Sequence, residues 1–204
     1  MLGGEMAIRS LFVTRLYEAL VEAPALLDDL EHSVRTLARD DRAGRAWCRA
    51  NGYQGYTSYA SLGDLPARDP LFAELVRLLN RHVRTFAQAL HFDLARPPRL
   101  DSLWVNLLKP GGAHSGHIHP HSIISGTFYV CVPAGSGGLK IEDPRLPLMM
   151  AAPSRRADAP EDSRSFVYAE PQPGLVLLWE SWLRHEVPPG TGKGDRISVS
   201  FNYR

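Results

Sequence analysis

The spacing of apolar residues changes once along this chain, near Leu100, and that change limits the architectures it can adopt. Before it, apolar residues recur at helical intervals: Leu26, Leu27, Leu30, Val34 and Leu37 after Pro24, then Leu71, Leu75, Leu78, Leu79, Val83, Phe86 and Leu90 after Asp69-Pro70. A capping residue followed by proline at the first helical position marks a helix start, so the second run predicts a helix that ends before Pro97-Pro98. A short apolar run over residues 8–17 reads as an opening strand. Past Leu100 the pattern becomes short β-rich runs at 102–108, 117–119, 124–132, 138–142, 166–169, 174–179 and 196–203, punctuated by glycine and proline. Helices followed by many strands predict an α+β domain built on a β-sandwich or barrel. Residues 146–173, rich in Pro, Ala, Arg and Asp, are too long and polar for a hairpin turn and are a candidate cover for a site.

At 204 residues with 44% hydrophobic content, one buried core over 1–204 is expected, with 1–99 mainly helical support and 100–204 the strand-rich core. A net charge of +1 gives no electrostatic footprint for nucleic acid or an anionic membrane. No stretch reaches the roughly 18 apolar residues of a span, and the opening residues lack a basic, then apolar, leader. A cytoplasmic protein with no nucleic acid or membrane partner is therefore expected, with a homodimer open through a sheet edge. Cys48 and Cys131 form no CxxC pair and read as buried small apolar residues.

Histidine carries the chemistry. Of eight histidines, four fall in His114-Ser-Gly-His117-Ile-His119-Pro-His121, and His185 stands alone in Trp182-Leu-Arg-His185. Side chains two apart on a strand share a face, so His117 and His119 can turn toward one ion. His185, 66 residues beyond His119, supplies a distant third. Two local ligands plus one remote ligand make a facial triad with open positions, the arrangement of non-haem Fe(II) oxygenases. A structural zinc site would need a fourth ligand, which the sequence offers at His114 or His121.

The last segment adds an independent signal. Arg196-Ile-Ser198-Val-Ser200-Phe-Asn202 alternates strictly, with Arg196, Ser198, Ser200 and Asn202 on one face and Ile197, Val199 and Phe201 on the other. A planar guanidinium beside a hydroxyl is a carboxylate clamp, suited to a small dicarboxylate.

Taken together, Trp104-Val-Asn106, His117-Ile-His119-Pro120, Ser125-Gly-Thr-Phe-Tyr129-Val, Gly137-Gly138, Asp143-Pro-Arg145, Pro173-Gly174, Ser181-Trp-Leu-Arg-His185 and Arg196 to Asn202 resemble the 2-oxoglutarate and Fe(II) dependent oxygenases with an HxHP motif. The resemblance is strong over 100–204 and weaker at Asn51-Gly-Tyr-Gln-Gly55, Ser58 and the second helix. It implies a double-stranded β-helix, a cupin-like jelly-roll barrel with N-terminal helices packed on it. It further implies Fe(II) on His117, His119 and His185, and 2-oxoglutarate held by Arg196 with Ser198. Asn106, Tyr129 and Asn202 are further candidates for the cosubstrate. The activity implied is a dioxygenase hydroxylating a small-molecule or peptide substrate, with succinate and carbon dioxide released.

Two departures stand out. His119 replaces the usual carboxylate ligand, leaving a more positive iron, and three-histidine dioxygenases without 2-oxoglutarate exist, so the cosubstrate rests on Arg196. Leu178-Trp179-Glu180 stands where the family tends to have Phe-Pro, with Glu180 read as solvent-facing. A metal-binding or sensor jelly roll without turnover is the alternative outside enzymes. His114 and His121 read as loop residues, Trp104, Phe128, Trp179 and Trp182 as core packing, and Asp143 with Arg145 as a strand-end ion pair. Nothing in the sequence singles out the substrate.

Overall fold

The computed structural model describes residues 7–204. Residues 1–6, which open the segment read above as lacking a leader, lie outside the described residues. The chain runs β1 (Tyr17–Leu20), α1 (Pro24–Asp40), α2 (Arg42–Ala50), β2 (Gly55–Thr57), α3 (Leu65–Arg68) and α4 (Pro70–Ala89), then strands β3 (Leu100–Leu108), β4 (His114–His117), β5 (Ile124–Cys131), β6 (Leu139–Glu142), β7 (Phe166–Ala169), β8 (Leu175–Glu180), β9 (His185–Val187) and β10 (Arg196–Tyr203). A six-stranded sheet has the order β1-β8-β5-β10-β3-β2 and a four-stranded sheet the order β4-β9-β6-β7. All recorded pairings are antiparallel. This is the double-stranded β-helix that the resemblance implies, a closer form of the β-sandwich or barrel that the strand pattern predicts.

The large sheet buries both faces, with different chemistry on each. Val105, Phe128, Val176, Leu178, Ile197, Val199 and Phe201 pack against the apolar stripes of α1 (Leu26, Leu30, Val34) and α4 (Phe72, Leu75, Leu79, Val83, Phe86). Each such side chain contributes roughly 1.5–3 kcal/mol. The opposite face, with Tyr129, Leu177 and Trp179, joins Leu139, Ile141, Leu183 and Val187 of the small sheet and its connections. Strict alternation on β10 thus sends Ile197, Val199 and Phe201 to the helices and Arg196, Ser198, Ser200 and Asn202 into the barrel.

Gly126 on β5 shows how tight the helix-facing side is: a Cβ there would lie 2.5 Å from Phe201 Cε2 and 2.7 Å from the Leu177 carbonyl. Gly126→Ala is expected to destabilise by about 1–3 kcal/mol, the cost of overpacking a filled core. Urea unfolding measures it, and an unchanged midpoint would contradict the packing.

Several expectations are corrected. The strand expected at 8–17 begins only at Tyr17, where β8 offers a partner from Leu178 down to Leu175; Ile8, Leu11, Phe12 and Val13 are exposed. The strand expected at 117–119 occupies His114–His117 and ends before His119. Two helices, α2 and α3, and the short strands β2 and β9 went unpredicted. Residues 146–173 do not cover the barrel's cavity: none lines it. They leave from β6 and return through β7, the outer edge of the small sheet, away from β4. Two single turns, Leu146–Leu148 and Glu161–Ser163, are their only helical structure. Of the tryptophans read as core, Trp104 and Trp179 are buried as expected while also lining the cavity, whereas Trp182 is 48% exposed with its indole N–H donating to Glu180 Oε1 at 3.1 Å. Glu180 is half-buried rather than solvent-facing.

Candidate metal centre and active site

The barrel mouth brings three of the histidines together. Cross-strand register in the small sheet sets His117 directly opposite His185, with Ile141 on the other side of His185. His119 follows two residues past the end of β4, fixed by its backbone N–H donating to the Ser181 carbonyl at 2.9 Å. The ligand nitrogens of His117, His119 and His185 all lie within 4.8 Å of one another. His119 Nε2 and His185 Nε2 are 3.2 Å apart. Two nitrogens each about 2.1 Å from one ion, at roughly 90–110° to each other, stand about 3.0–3.4 Å apart, so the pair is set for a shared metal.

Backbone carbonyls fix the tautomers. His185 Nδ1 meets the Leu183 carbonyl at 2.8 Å and His117 Nδ1 meets the Ser115 carbonyl at 2.6 Å. A carbonyl only accepts, so each Nδ1 carries the proton and each Nε2 keeps the lone pair that a metal needs. The Trp179 ring lies 4.6 Å from His185, and the Trp104 ring 5.8 Å from His119.

Burial also keeps His119 and His185 neutral. Burial, with a smaller contribution from the neighbouring histidines, lowers His119 to about 4 and His185 to about 3, the Leu183 carbonyl partly opposing the shift at His185. His114 is lowered to about 4 by burial and then by Arg196 and His117. Above about pH 6.5 these groups are uncharged in folded and unfolded chains alike. Below it, the unfolded chain takes up protons that the folded chain refuses, costing about 1.4 kcal/mol per pH unit for each group until the folded histidines titrate. The metal-free protein is therefore expected to lose stability steeply between pH 6.5 and pH 4. Urea midpoints across that range give the test; a flat profile would contradict neutral burial.

Further into the barrel sits a cation. Arg196 is 5% exposed, and its Nε and Nη1 are buried without a hydrogen-bond partner among the described residues. The Tyr129 hydroxyl is equally buried and unpartnered, and the Arg196 Cζ lies 4.9 Å from the Tyr129 ring centroid. Register explains the grouping: Ser198 pairs with Asn106 on one side and Tyr129 on the other, placing all three abreast on one sheet face. The other two candidates each have one amide N–H and the amide oxygen engaged. Asn106 accepts from Thr57 Oγ1 at 2.9 Å and donates to Ser200 Oγ at 3.0 Å. Asn202 accepts from Ser125 Oγ at 2.8 Å and donates to Ser102 Oγ at 3.1 Å.

One cavity of about 680 Å³ holds all of these residues. The helical half contributes walls that the sequence reading missed: Trp47 of α2, Tyr53, Thr57 of β2 and Tyr59. Asp41 builds that wall. It caps α2 by accepting from Gly44 N at 3.0 Å, and also accepts from Tyr56 Oη at 2.8 Å and Ser61 Oγ at 2.5 Å, tying the β2 segment to the helix. His114, expected in a loop, lies on β4 with Nε2 2.7 Å from the Tyr53 hydroxyl, while His121 is exposed at the mouth. Asp143 and Arg145 do form the expected local ion pair, at 2.9 Å.

Residues 102–202 match a family model described as "Putative 2OG-Fe(II) oxygenase". No curated protein matches the sequence. Among solved structures, the fold is similar to a Pseudomonas putida prolyl-4-hydroxylase (TM-score 0.59, 14% identity, covering 94% of this chain and 92% of that one). It is similar also to HygX from Streptomyces hygroscopicus with nickel, 2-oxoglutarate and hygromycin B bound (0.61, 16%, 93% and 82%). A third is the epimerase SnoN in complex with Fe3+, alpha ketoglutarate and nogalamycin RO (0.64, 13%, 93% and 78%). Residues 102–202 belong to the 2OG-Fe(II) oxygenases, a family of oxidoreductases whose cofactors are Fe(II) and 2-oxoglutarate.

Proposed function

We propose that the protein oxidises a C–H bond of a small-molecule or peptide substrate, by hydroxylation, with His117, His119 and His185 holding Fe(II). Arg196, Ser198 and Tyr129 anchor the distal carboxylate of 2-oxoglutarate. Arg196 Nε and Nη1 and the Tyr129 hydroxyl, buried in the same cavity as the triad without a hydrogen-bond partner among the described residues, carry this reading. A buried cation without a partner costs several kcal/mol, and a carboxylate removes that cost with charge-assisted hydrogen bonds.

Bound together, iron and 2-oxoglutarate supply dioxygen-dependent oxidation, with succinate and carbon dioxide as by-products. The chain supplies geometry and a dry interior. The Ser115 and Leu183 carbonyls hold the ring protons of His117 and His185 away from the metal side. Trp179, Leu139 and Val187 give the cavity an apolar wall on the side of the triad. Asn106 and Asn202, each held by one donated and one accepted bond to Ser200 and Thr57 or to Ser102 and Ser125, stiffen the pocket wall and keep a second N–H for the cosubstrate. Neither a cosubstrate-free dioxygenase nor a sensor has a use for the bare guanidinium. The described chain has no helix long and apolar enough to cross a membrane, and we place the enzyme in the cytoplasm, working as one unit over 1–204.

Incubation with Fe(II), oxygen and 2-oxoglutarate alone should give slow succinate formation that stops when Zn(II) replaces Fe(II). A protein that neither binds 2-oxoglutarate nor forms succinate would overturn the proposal.

A further inference from the structure

The cavity of about 680 Å³ is several times larger than one ion and a five-carbon diacid fill, so room remains for a second molecule beside the triad. The walls of that room are one-sided in chemistry. Arg196 is the only Asp, Glu, Lys or Arg among the lining residues, and it lies deep and assigned to the cosubstrate.

From His119 outward, aromatic rings form a ramp. The Trp104 ring lies 5.8 Å from His119, and the Tyr59 ring meets Trp104 edge-on at 5.3 Å. Exposure rises along it from 9% at Trp104 to 64% at Tyr59. The ramp is held rigidly, because Ser58 N donates to the Val105 carbonyl and Val105 N to Ser58 Oγ, both at 3.1 Å, clamping the Tyr59 segment to β3. Nearby polar groups offer little in competition, since Thr57, Asn106 and Ser200 are bonded to one another. Ile118, 46% exposed, adds an apolar wall at the mouth.

Resting on the function proposed above, we propose that this outer chamber takes an uncharged, flat ring of the substrate, stacked along Trp104 and Tyr59, and excludes cationic groups. Aromatic faces attract rings and cations alike, so charge decides between them. A dication on three neutral imidazoles, a dianionic cosubstrate and Arg196 leave the filled site net positive, and no carboxylate in the lining offsets it. An anion would find its one cation already taken.

Protein loaded with Zn(II) and saturating 2-oxoglutarate, which cannot turn over, is titrated with four matched probes followed by saturation-transfer NMR: benzamide, benzamidinium, benzoate and cyclohexanecarboxamide. Benzamide should bind at least tenfold tighter than benzamidinium or benzoate and severalfold tighter than the non-planar amide. Trp104→Ala should weaken benzamide about tenfold and Tyr59→Ala severalfold, with 2-oxoglutarate affinity and metal content unchanged. Tyr59 is exposed, so its variant reports on binding even where Trp104→Ala unfolds. Equal affinities, no probe binding, preference for a charged probe, or an unaffected Tyr59→Ala would overturn the inference. The 2-oxoglutarate titration is read separately, so its failure counts against the proposed function and the probe ranking against this chamber.

Discussion

Arg196→Ala should weaken 2-oxoglutarate binding by about 30- to 3000-fold, with metal content and fold intact. Truncating one member of a buried, hydrogen-bonded charge pair costs about 2–5 kcal/mol, and each 1.4 kcal/mol is a factor of ten. The effect belongs at the upper end because the lining supplies no other formal cation to take over. Arg196→Lys should recover little: an ammonium cannot reproduce the planar fork, and the space beside the Tyr129 ring suits a flat group. Tyr129→Phe removes one donor to a charged partner and should cost about tenfold. The stability of the ligand-free variant is a second, opposite readout. Since the guanidinium is buried and unpartnered when the pocket is empty, replacing it should raise the urea midpoint or leave it unchanged. Isothermal titration with 2-oxoglutarate, beside urea unfolding, measures both. An Arg196→Ala protein that binds 2-oxoglutarate within threefold of the wild type would remove Arg196 from the cosubstrate site.

Where sequence pattern and structure agree, the pattern is the direct product of burial. Strict alternation on β10 was legible because the strand is buried on both faces, apolar toward α1 and α4 and polar toward the cavity. Helices α1 and α4 were legible because one stripe of each packs on the large sheet. In contrast, α2 reads Arg-Ala-Gly-Arg-Ala-Trp-Cys-Arg-Ala and buries only Gly44 and Cys48, so it shows no apolar stripe. Strand β9 is three residues long and exists through its neighbours β4 and β6. His117 and His119 were paired on strand parity, yet β4 stops at His117, and what keeps His119 on the same side is its bond to the Ser181 carbonyl. Tyr53, Thr57 and Tyr59 reach the cavity only because β2 adds to the β3 edge with Thr57 opposite Asn106, a long-range event that no local spacing reveals. The 146–173 segment had the composition of a cover, but sheet order, not composition, decides which end of a barrel a loop serves.

Removing any one of His117, His119 and His185 should lower affinity for Fe(II) or Zn(II) by more than about 100-fold, since loss of a mere supporting contact already costs 10- to 100-fold. His114→Ala should cost only a fewfold. Its Nε2 is engaged by the Tyr53 hydroxyl at 2.7 Å, and it does not join the cluster of ligand atoms within 4.8 Å. His119→Asp offers the sharper comparison. A carboxylate completes the two-histidine, one-carboxylate set that Fe(II) sites use, so this variant should keep metal within about tenfold of the wild type where His119→Ala loses it. The two neutral neighbours support that outcome, because a negative ligand relieves the positive charge that three imidazoles leave uncompensated. Metal stoichiometry by mass spectrometry and competition with a chelator at pH 7.5 measure all five variants. If His114→Ala lost metal while His119→Ala kept it, the centre would be a different triad, and the near-parallel His119 and His185 rings, 5.1 Å apart, would be packing alone.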